Sequence, residues 1–220
     1  MVEMIADSRT TAVTSDVVQF NPTPTTLELA DGLIRLAPLE LDHAAALRVA
    51  GADDQIWRYM PMKRPISQDE FRGYVQTALG AQAAGNEVPF AIIDRPSERA
   101  IGTTRFMDIQ RANRGLEIGH TWITADFRRS RVNTECKFLL LQHAFESLRA
   151  VRVQLKTDHR NHRSQTAILR IGAKFEGRLR KHRILHDGFL RDTMMYSITD
   201  DEWPLVRDRL AALLAGPARG

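Results

Sequence analysis

Cysteine is nearly absent from this chain, which limits both its stabilisation and its chemistry. The 220 residues include one cysteine, Cys136, so neither a disulfide within the chain nor a metal site of several cysteines can form. The seven histidines show no H-E-x-x-H spacing, and the nearest pair, His159 and His162, lacks a sulfur companion. The sequence therefore predicts no metal site, and it predicts that Cys136 packs in the core.

Long apolar runs are absent as well. No run approaches the roughly 20 residues that a membrane-spanning helix needs. The N-terminus carries the acidic residues Glu3 and Asp7, and it lacks the basic and then apolar layout of a secretory signal. We therefore expect a cytoplasmic protein that does not associate with a membrane.

Lysine contributes little to the basic character of the chain. Arginine supplies 26 of the 31 basic residues, and the formal net charge is only +4. The arginines are spread along the chain, with one local cluster at Arg128 to Arg131. Because the excess is small and dispersed, we do not expect nucleic acid as a partner.

The first 26 residues differ in composition from the rest. They are rich in Thr, Ser, Val and Pro and end in Asn-Pro-Thr-Pro-Thr-Thr, which is typical of an extension outside a packed core. We predict a flexible N-terminal arm over residues 1–26 and a single domain over residues 27–216. A partner subunit could order the arm, and the sequence leaves a homodimer open.

Hydrophobic periodicity predicts the elements of the domain. Asp42 is expected to cap the first helix, and Ser67 and Glu70 form a capping box for the second. The predicted elements are a strand at 33–36, helices at 42–50 and 67–84, strands at 88–94, 99–109 and 116–123, a helix after 131–134, a strand at 151–156, a helix at 161–171, strands at 174–185 and 189–198, and a helix at 202–214. This order predicts a mixed α/β fold in which an antiparallel meander is followed by a strand–helix–strand unit.

Six segments in a fixed order carry a resemblance to a known family. They are Glu117 to Trp122, Arg128 to Lys137, Asn161-x-x-Ser164, Ile171 to Ala173, Glu176-Gly177 and Arg191 to Ser197. They resemble the catalytic core of the GNAT N-acetyltransferases, and most of all the branch that includes the ribosomal-protein N-terminal acetyltransferases. The resemblance implies the GNAT acyl-CoA N-acyltransferase fold, a mixed and mostly antiparallel central sheet flanked by helices. It also implies that an acetyl group passes from acetyl-CoA to a primary amine, on a protein N-terminus or a small molecule, by direct attack in a ternary complex.

The resemblance further implies where the cofactor binds. In the family, a Q/R-x-x-G-x-G/A turn before a helix holds the pyrophosphate of coenzyme A, and here that turn aligns with Arg128 to Asn133. A helix N-terminus suits an anion because its backbone N–H groups are unpaired and its dipole end is positive. The expected cofactor-binding residues are Trp122, Ile123, Arg128, Arg129, Ser130, Arg131, Val132, Asn133, Thr134 and Asn161.

Arg131 departs from the family pattern, since relatives have glycine at this position. The arginine could add a charged contact to a phosphate, or it could crowd the turn and weaken cofactor binding. The second outcome would favour an alternative function, a GNAT-fold protein that binds coenzyme A or another ligand without turnover. The basic cluster could also be an ordinary solvated loop.

Two strand residues compete as the general base. By the resemblance, Glu117 borders the amine site and is our first candidate, although it could be an ordinary strand carboxylate. His120 is the alternative, because its usual pKa suits proton transfer near neutral pH. Alternation along a strand places the two side chains on opposite faces unless a bulge intervenes, so His120 is more simply read as a packing or surface residue.

The helix near residue 161 supplies the last candidates. By the resemblance, Asn161 contacts the pantetheine arm and Ser164 is a candidate general acid near the sulfur. Asn161 could also simply cap its helix, with Ser164 in the first turn. Trp57, Tyr59 and Met60 fall in the region that lines the acceptor site in the family, with core packing as the alternative.

Overall fold

The computed structural model describes residues 19–216, so most of the predicted arm lies outside the described residues. Within that range, eight strands form one sheet in the order β1-β2-β3-β4-β5-β6-β8-β7. The strands are β1 Leu27–Glu28, β2 Ile34–Pro38, β3 Val88–Asp94, β4 Arg99–Gln110, β5 Gly115–Ile123, β6 Arg152–Asp158, β7 Lys174–Ile184 and β8 Leu190–Thr199. All neighbours pair antiparallel except β5 and β6, which are parallel. The predicted fold class, a mostly antiparallel mixed sheet flanked by helices, is confirmed.

Six α-helices flank this sheet in the described part of the chain. They are α1 Ala44–Ala50, α2 Asp54–Trp57, α3 Gln68–Ala83, α4 Val132–Gln142, α5 His162–Arg170 and α6 Trp203–Ala215. The capping box of α3 is confirmed, since Glu70 N donates to Ser67 Oγ over 3.1 Å and Ser67 N donates to Glu70 Oε2 over 2.8 Å. The predicted Asp42 cap is wrong, because a 3₁₀ turn, Leu41–His43, precedes α1 and has Glu40 at its N-cap.

The sheet separates two hydrophobic layers, and β3 contributes to both. All seven of its residues are buried. Phe90 and Ile92 join the core beneath α4 and α6, whereas Ala91 and Ile93 join the core beneath α1 and α3. Successive side chains of a strand point to opposite faces, so a continuous apolar run is what a strand covered on both faces requires. Each large side chain buried here contributes about 1.5–3 kcal/mol.

The N-terminal boundary of the core can be described only from residue 19 onward. Phe20 is 4 % exposed and packs with the main core, and β1 pairs with β2 through Leu27 and Glu28. The described end of the predicted arm thus includes one core side chain. The division at residue 26 stays a prediction.

Pairing between β5 and β6 stops early, and this sets the position of the candidate site. The parallel ladder joins Gly115 to Glu117 with Arg152 to Gln154, and beyond it the two strands separate. None of the helices within residues 19–216 is long and apolar enough to cross a bilayer.

Candidate active site

A deep cleft opens where β5 leaves β6. Its volume is about 1050 Å³, and its walls come from both strands, from the segment after α2, from the first turns of α4 and α5, and from the β7–β8 hairpin. Elements distant in sequence therefore meet at this cleft. Within the same described residues, no group of three or more His, Cys, Asp or Glu side chains is placed to hold a metal ion.

A bulge in β5 brings both candidate bases into the cleft. Thr103 pairs with Trp122 and Arg105 pairs with Gly119, so β5 carries one more residue than β4 over this stretch. His120 takes up the irregularity with a φ of 49°. Because one extra residue reverses the alternation beyond it, Glu117 and His120 line the same cleft. Alternation along the strand predicted opposite faces for the two side chains unless a bulge intervened, and β5 contains that bulge.

Gly119 leaves room for the Glu117 carboxylate. A Cβ at this position would lie 3.0 Å from Glu117 Oε1 and 2.5 Å from Met107 Sδ. Any side chain here would displace one of these groups. A glycine between the two candidate bases therefore leaves both groups in their observed positions.

Glu117 is buried and forms an ion pair across the gap between the strands. The residue is 5 % exposed, and its Oε2 lies 2.5 Å from Lys156 Nζ. Burial raises the pKa of the Glu117 carboxyl, and Lys156 opposes that rise. The result is a carboxylate that is more basic than a surface glutamate and is held in its charged form by a neighbouring ammonium group.

His120 has the opposite electrostatic character. Burial lowers its pKa to about 3, and the positive charges of Arg105, Arg183 and Arg191 add to the effect. Its Nδ1 is buried and has no hydrogen-bond partner within residues 19–216. His120 is therefore a neutral imidazole at physiological pH and a weaker base than its usual pKa suggests.

The predicted phosphate turn is a loop that ends at the N-terminus of α4. Arg129 has the left-handed conformation, with a φ of 63°, whereas Arg131 is helical, with a φ of −73°. The chain therefore does not need a glycine at Arg131. Within the described residues, the N–H groups of Arg129, Arg131, Asn133 and Thr134 donate no hydrogen bond, as expected at a helix N-terminus.

The side chains of this turn take different directions. Arg128, Arg129, Ser130 and Asn133 line the cleft. Arg128 is held by Asp53, with Nη2 2.6 Å from Oδ2.

Three of the predicted cofactor residues point elsewhere. The Arg131 guanidinium donates to the carbonyl oxygen of Leu214 at the end of α6. Thr134 is buried, and its Oγ1 accepts from Arg170 Nη2 over 3.0 Å. Val132 is also buried, and its N–H donates to the hydroxyl of the turn serine. Arg131 and Thr134 can therefore offer only their backbone N–H groups, and Val132 offers neither its side chain nor its N–H.

The remaining sequence candidates lie at the cleft with distinct roles. Asn161 caps α5, since its Oδ1 accepts from Ser164 N over 3.1 Å, and both residues line the cleft. Trp122 and Ile123 also line it, but the indole of Trp122 is held in the core by donating to Tyr74 Oη over 3.1 Å.

The aromatic and Met candidates divide between the core and the cleft. Trp57 packs in the core, whereas Tyr59 and Met60 line the cleft.

Sequence reasoning missed a cluster at the far end of the cleft. Asp158 is 1 % exposed and accepts two hydrogen bonds from the Arg160 guanidinium, at 3.0 and 2.7 Å. The same guanidinium lies 3.6 Å from the ring centroid of Phe189 and 5.6 Å from that of Tyr59. These contacts tie the β7–β8 hairpin to the segment after α2. Asp158 and Arg160 are two residues apart, but no spacing signal links them to Tyr59 or Phe189, because only the tertiary fold brings these segments together.

Lys137 on α4 was also missed. Its Nζ donates to Thr121 Oγ1 over 2.7 Å, and it lines the cleft although it is only 7 % exposed. Burial lowers the pKa of this lysine. A buried charged donor beneath the cleft floor could have been suspected only from its helical neighbours, which are apolar.

Comparisons with known proteins agree with this geometry. The sequence model of the "Acetyltransferase (GNAT) domain" matches residues 33–174. A GCN5-related N-acetyltransferase from Brucella melitensis is 29 % identical, with a TM-score of 0.82 over 89 % of this chain and 87 % of that one. The "Uncharacterized N-acetyltransferase p20" of Bacillus licheniformis is 25 % identical over 174 residues, 77 % of this chain and 94 % of the relative.

A structure solved with a coenzyme A derivative shares the fold at lower identity. Mycobacterium smegmatis RimJ, solved in complex with CoA-disulfide, is 22 % identical, with a TM-score of 0.75 over 86 % of this chain and 95 % of that one. The family model covers more than half of the chain. The chain therefore belongs to the GNAT acetyltransferase family.

Proposed function

We propose that this protein transfers the acetyl group of acetyl-CoA to a primary amine by direct attack in a ternary complex. One observation carries the proposal. A single cleft between β5 and β6 has unpaired backbone donors at the start of α4 and a buried, ion-paired carboxylate, Glu117, on its wall. Membership of the family supports acetyl transfer, and the cleft supports the roles that follow.

The N-terminus of α4 fits the pyrophosphate of the cofactor. The free N–H groups of Arg129, Arg131, Asn133 and Thr134 gather there, and the positive end of the helix dipole adds to their attraction for an anion. Arg128 contributes a cation that Asp53 holds in place. Asn161 and the exposed edges of β5 and β6 are the candidate partners for the pantetheine arm. When bound, acetyl-CoA supplies the activated acetyl thioester.

Glu117 is the proposed general base. A primary ammonium must lose a proton before its nitrogen can attack, and a carboxylate whose pKa is raised by burial accepts that proton more readily than a surface glutamate. The ion pair with Lys156 fixes the orientation of the Glu117 carboxylate at the cleft wall. His120 lies on the same wall, but its lowered pKa makes it the weaker base.

Ser164 is the proposed general acid. It lies in the first turn of α5 and lines the cleft, and its backbone N–H is held by Asn161. Its hydroxyl forms no hydrogen bond with the residues that the structure describes. It is therefore available to donate a proton to the sulfur as the thiolate leaves.

The test is transfer to a defined set of acceptors. The full chain is incubated with acetyl-CoA and polyamines, amino acids or short peptides, thiol release is followed, and acetylated products are identified by mass spectrometry. We expect thiol release that depends on one class of amine, with an amine-free reaction as the control for hydrolysis. Saturable binding of acetyl-CoA without transfer to any acceptor would instead support the alternative, a cofactor-binding protein without turnover.

The alternative function loses its main support in this structure. It rested on Arg131 crowding the phosphate turn, but the Arg131 guanidinium is directed to Leu214 at the end of α6 and does not line the cleft. The turn therefore remains open to a phosphate group at this position. We keep acetyl transfer as the proposed function.

A further inference from the structure

We propose that Arg183 and Arg191 form an anion-binding subsite for a carboxylate or phosphate group on the amine acceptor. The proposal rests on the acetyl transfer proposed above, and it adds the chemical class of the acceptor. Both side chains line the cleft, and the two residues lie directly opposite each other in the β7–β8 ladder.

An irregularity in β7 creates this pairing. Leu179 pairs with Thr193 and Arg183 pairs with Arg191, so β7 advances by four residues while β8 advances by two. Lys181 lies within the irregularity with a φ of 48°, and its N–H donates to Asp192 Oδ1 over 2.6 Å. In a regular ladder Lys181 would lie opposite Arg191. The irregularity therefore selects the residue that joins Arg191 at the cleft.

The Arg191 guanidinium is buried without a direct anionic partner among the described residues. Arg191 is 7 % exposed, and its Nε is fully buried with no hydrogen-bond partner within residues 19–216. In that same range neither Arg191 nor Arg183 forms an ion pair. Like charges directly opposite each other destabilise a ladder, and a buried charge needs a partner. An anion between the two guanidiniums satisfies both requirements.

The nearby carboxylates are already engaged. Glu117 is paired with Lys156 at 2.5 Å, and Asp158 is paired with Arg160 at 2.7 Å. Two further cations therefore remain at this end of the cleft. A direct anionic partner for the pair is therefore left to a bound molecule.

The position of the pair indicates which molecule supplies the anion. The positive charges of Arg183 and Arg191 both lower the pKa of His120, and that of Arg183 lowers the pKa of Glu117. The pair therefore lies beside the proposed base. The proposed cofactor phosphate site is elsewhere, at the start of α4. The anion is therefore a part of the acceptor, held while its amine faces Glu117.

The experiment compares acceptors that differ only in the anionic group. Wild-type protein is assayed with ω-amino carboxylates of increasing length against their amides, and with 2-aminoethyl phosphate against 2-aminoethanol. We expect kcat/KM to be roughly ten- to hundredfold higher for the anionic member of one pair, since hydrogen bonds to charged groups have that effect. The pair that shows the preference identifies carboxylate or phosphate as the recognised group.

Variants assign the preference to the two arginines. Arg191→Gln and Arg183→Gln should each reduce the ratio of anionic to neutral kcat/KM to near one, mainly through KM. Arg180→Gln removes the same charge from an exposed residue of β7 outside the cleft, and it should keep the wild-type ratio. A general structural defect would lower both rates without changing their ratio. A wild-type ratio near one, or a ratio preserved in Arg191→Gln, would overturn the proposal.

A binding measurement separates this proposal from the proposed function. If no amine is acetylated, acetyl transfer fails, and calorimetric titration of the coenzyme A complex with glutarate and with inorganic phosphate then decides on the subsite. Saturable binding of either anion that is lost in Arg191→Gln and kept in Arg180→Gln supports the subsite. If the wild-type protein binds neither anion saturably, the subsite is refuted.

Discussion

Lys156 Nζ lies 2.5 Å from Glu117 Oε2, across the gap where β5 and β6 part. The two residues come from neighbouring strands at the end of their parallel pairing. Glu117 belongs to the last pair, with Gln154, and Lys156 lies two residues further along β6. Burial makes the carboxylate more basic, and the ammonium group keeps it charged. This balance between burial and pairing leads to the first two predictions.

Replacing the carboxylate should remove proton transfer and leave cofactor binding intact. We expect Glu117→Gln to lower kcat by roughly 10²- to 10⁴-fold, the usual contribution of general base catalysis. The rise in melting temperature caused by acetyl-CoA should persist, because the phosphate turn is unchanged. The control is Glu28→Gln, an exposed carboxylate in β1. Full activity in Glu117→Gln would eliminate this residue as the base.

Removing the ammonium group should shift the pH dependence of the reaction. Lys156 lowers the pKa of Glu117 against the effect of burial, so Lys156→Met should raise that pKa further. The base must be ionised to accept a proton, so the acid limb of the kcat/KM profile should move to higher pH. At high pH, where Glu117 is ionised in both proteins, kcat/KM should change less. The measurement is a pH profile of kcat/KM for both proteins. An unshifted acid limb would show that Glu117 does not set it.

The half-buried His120 should make the fold sensitive to acid. Its pKa is about 3 in the folded chain, well below the usual 6.5 of a histidine, so the unfolded state binds the proton first as pH falls. The stability that this neutral imidazole contributes is therefore complete above about pH 6.5 and is lost as pH falls toward 3. We expect His120→Asn to lose less stability than wild type between pH 7 and 4, with a difference on the order of a few kcal/mol.

Urea unfolding at several pH values measures this difference. His186→Asn is the matched control, because it changes one exposed histidine outside the cleft. Equal pH dependence in wild type and His120→Asn would show that burial of His120 is not linked to stability.

Restoring the family glycine should reduce stability without improving cofactor binding. Arg131 has helical dihedrals and its guanidinium donates to Leu214. We therefore expect Arg131→Gly to lower the free energy of unfolding by about 1–2 kcal/mol, through the lost hydrogen bond and the added backbone freedom. Arg131→Ala separates the two effects, since it loses only the hydrogen bond. Acetyl-CoA titration should give affinities within about twofold of wild type; a tenfold gain in Arg131→Gly would show that the arginine crowds the turn.

The sequence predicted the elements because their signals are local. The capping box of Ser67 and Glu70 and the meander strands depend on side chains a few residues apart, and each appears in the structure where it was predicted. The exception is Asp42, because a 3₁₀ turn begins at Leu41 and its N-cap is Glu40, two residues before the predicted cap. Local patterns are reliable when the local backbone satisfies them without help from distant residues.

The site was predicted less completely, because its geometry depends on distant contacts. The bulge at His120 follows from the register between β4 and β5, which alternation along one strand does not encode. The direction of Arg131 depends on the end of α6, more than 80 residues later. The arginine pair depends on two extra residues in β7. Glu117 could be proposed only because a family resemblance supplied its role.

The short parallel pairing of β5 and β6 leaves two strand edges inside the sheet. Beyond the three paired positions of β5 and β6, each strand keeps a ladder on its outer side and faces the other across open space. Amide hydrogens on these inner edges are accordingly open to exchange with solvent, while those in β3 at the centre of the first half are protected. A ligand that fills the gap would join the two halves, so slowed deuterium uptake along both inner edges would report occupancy even for a molecule that does not react.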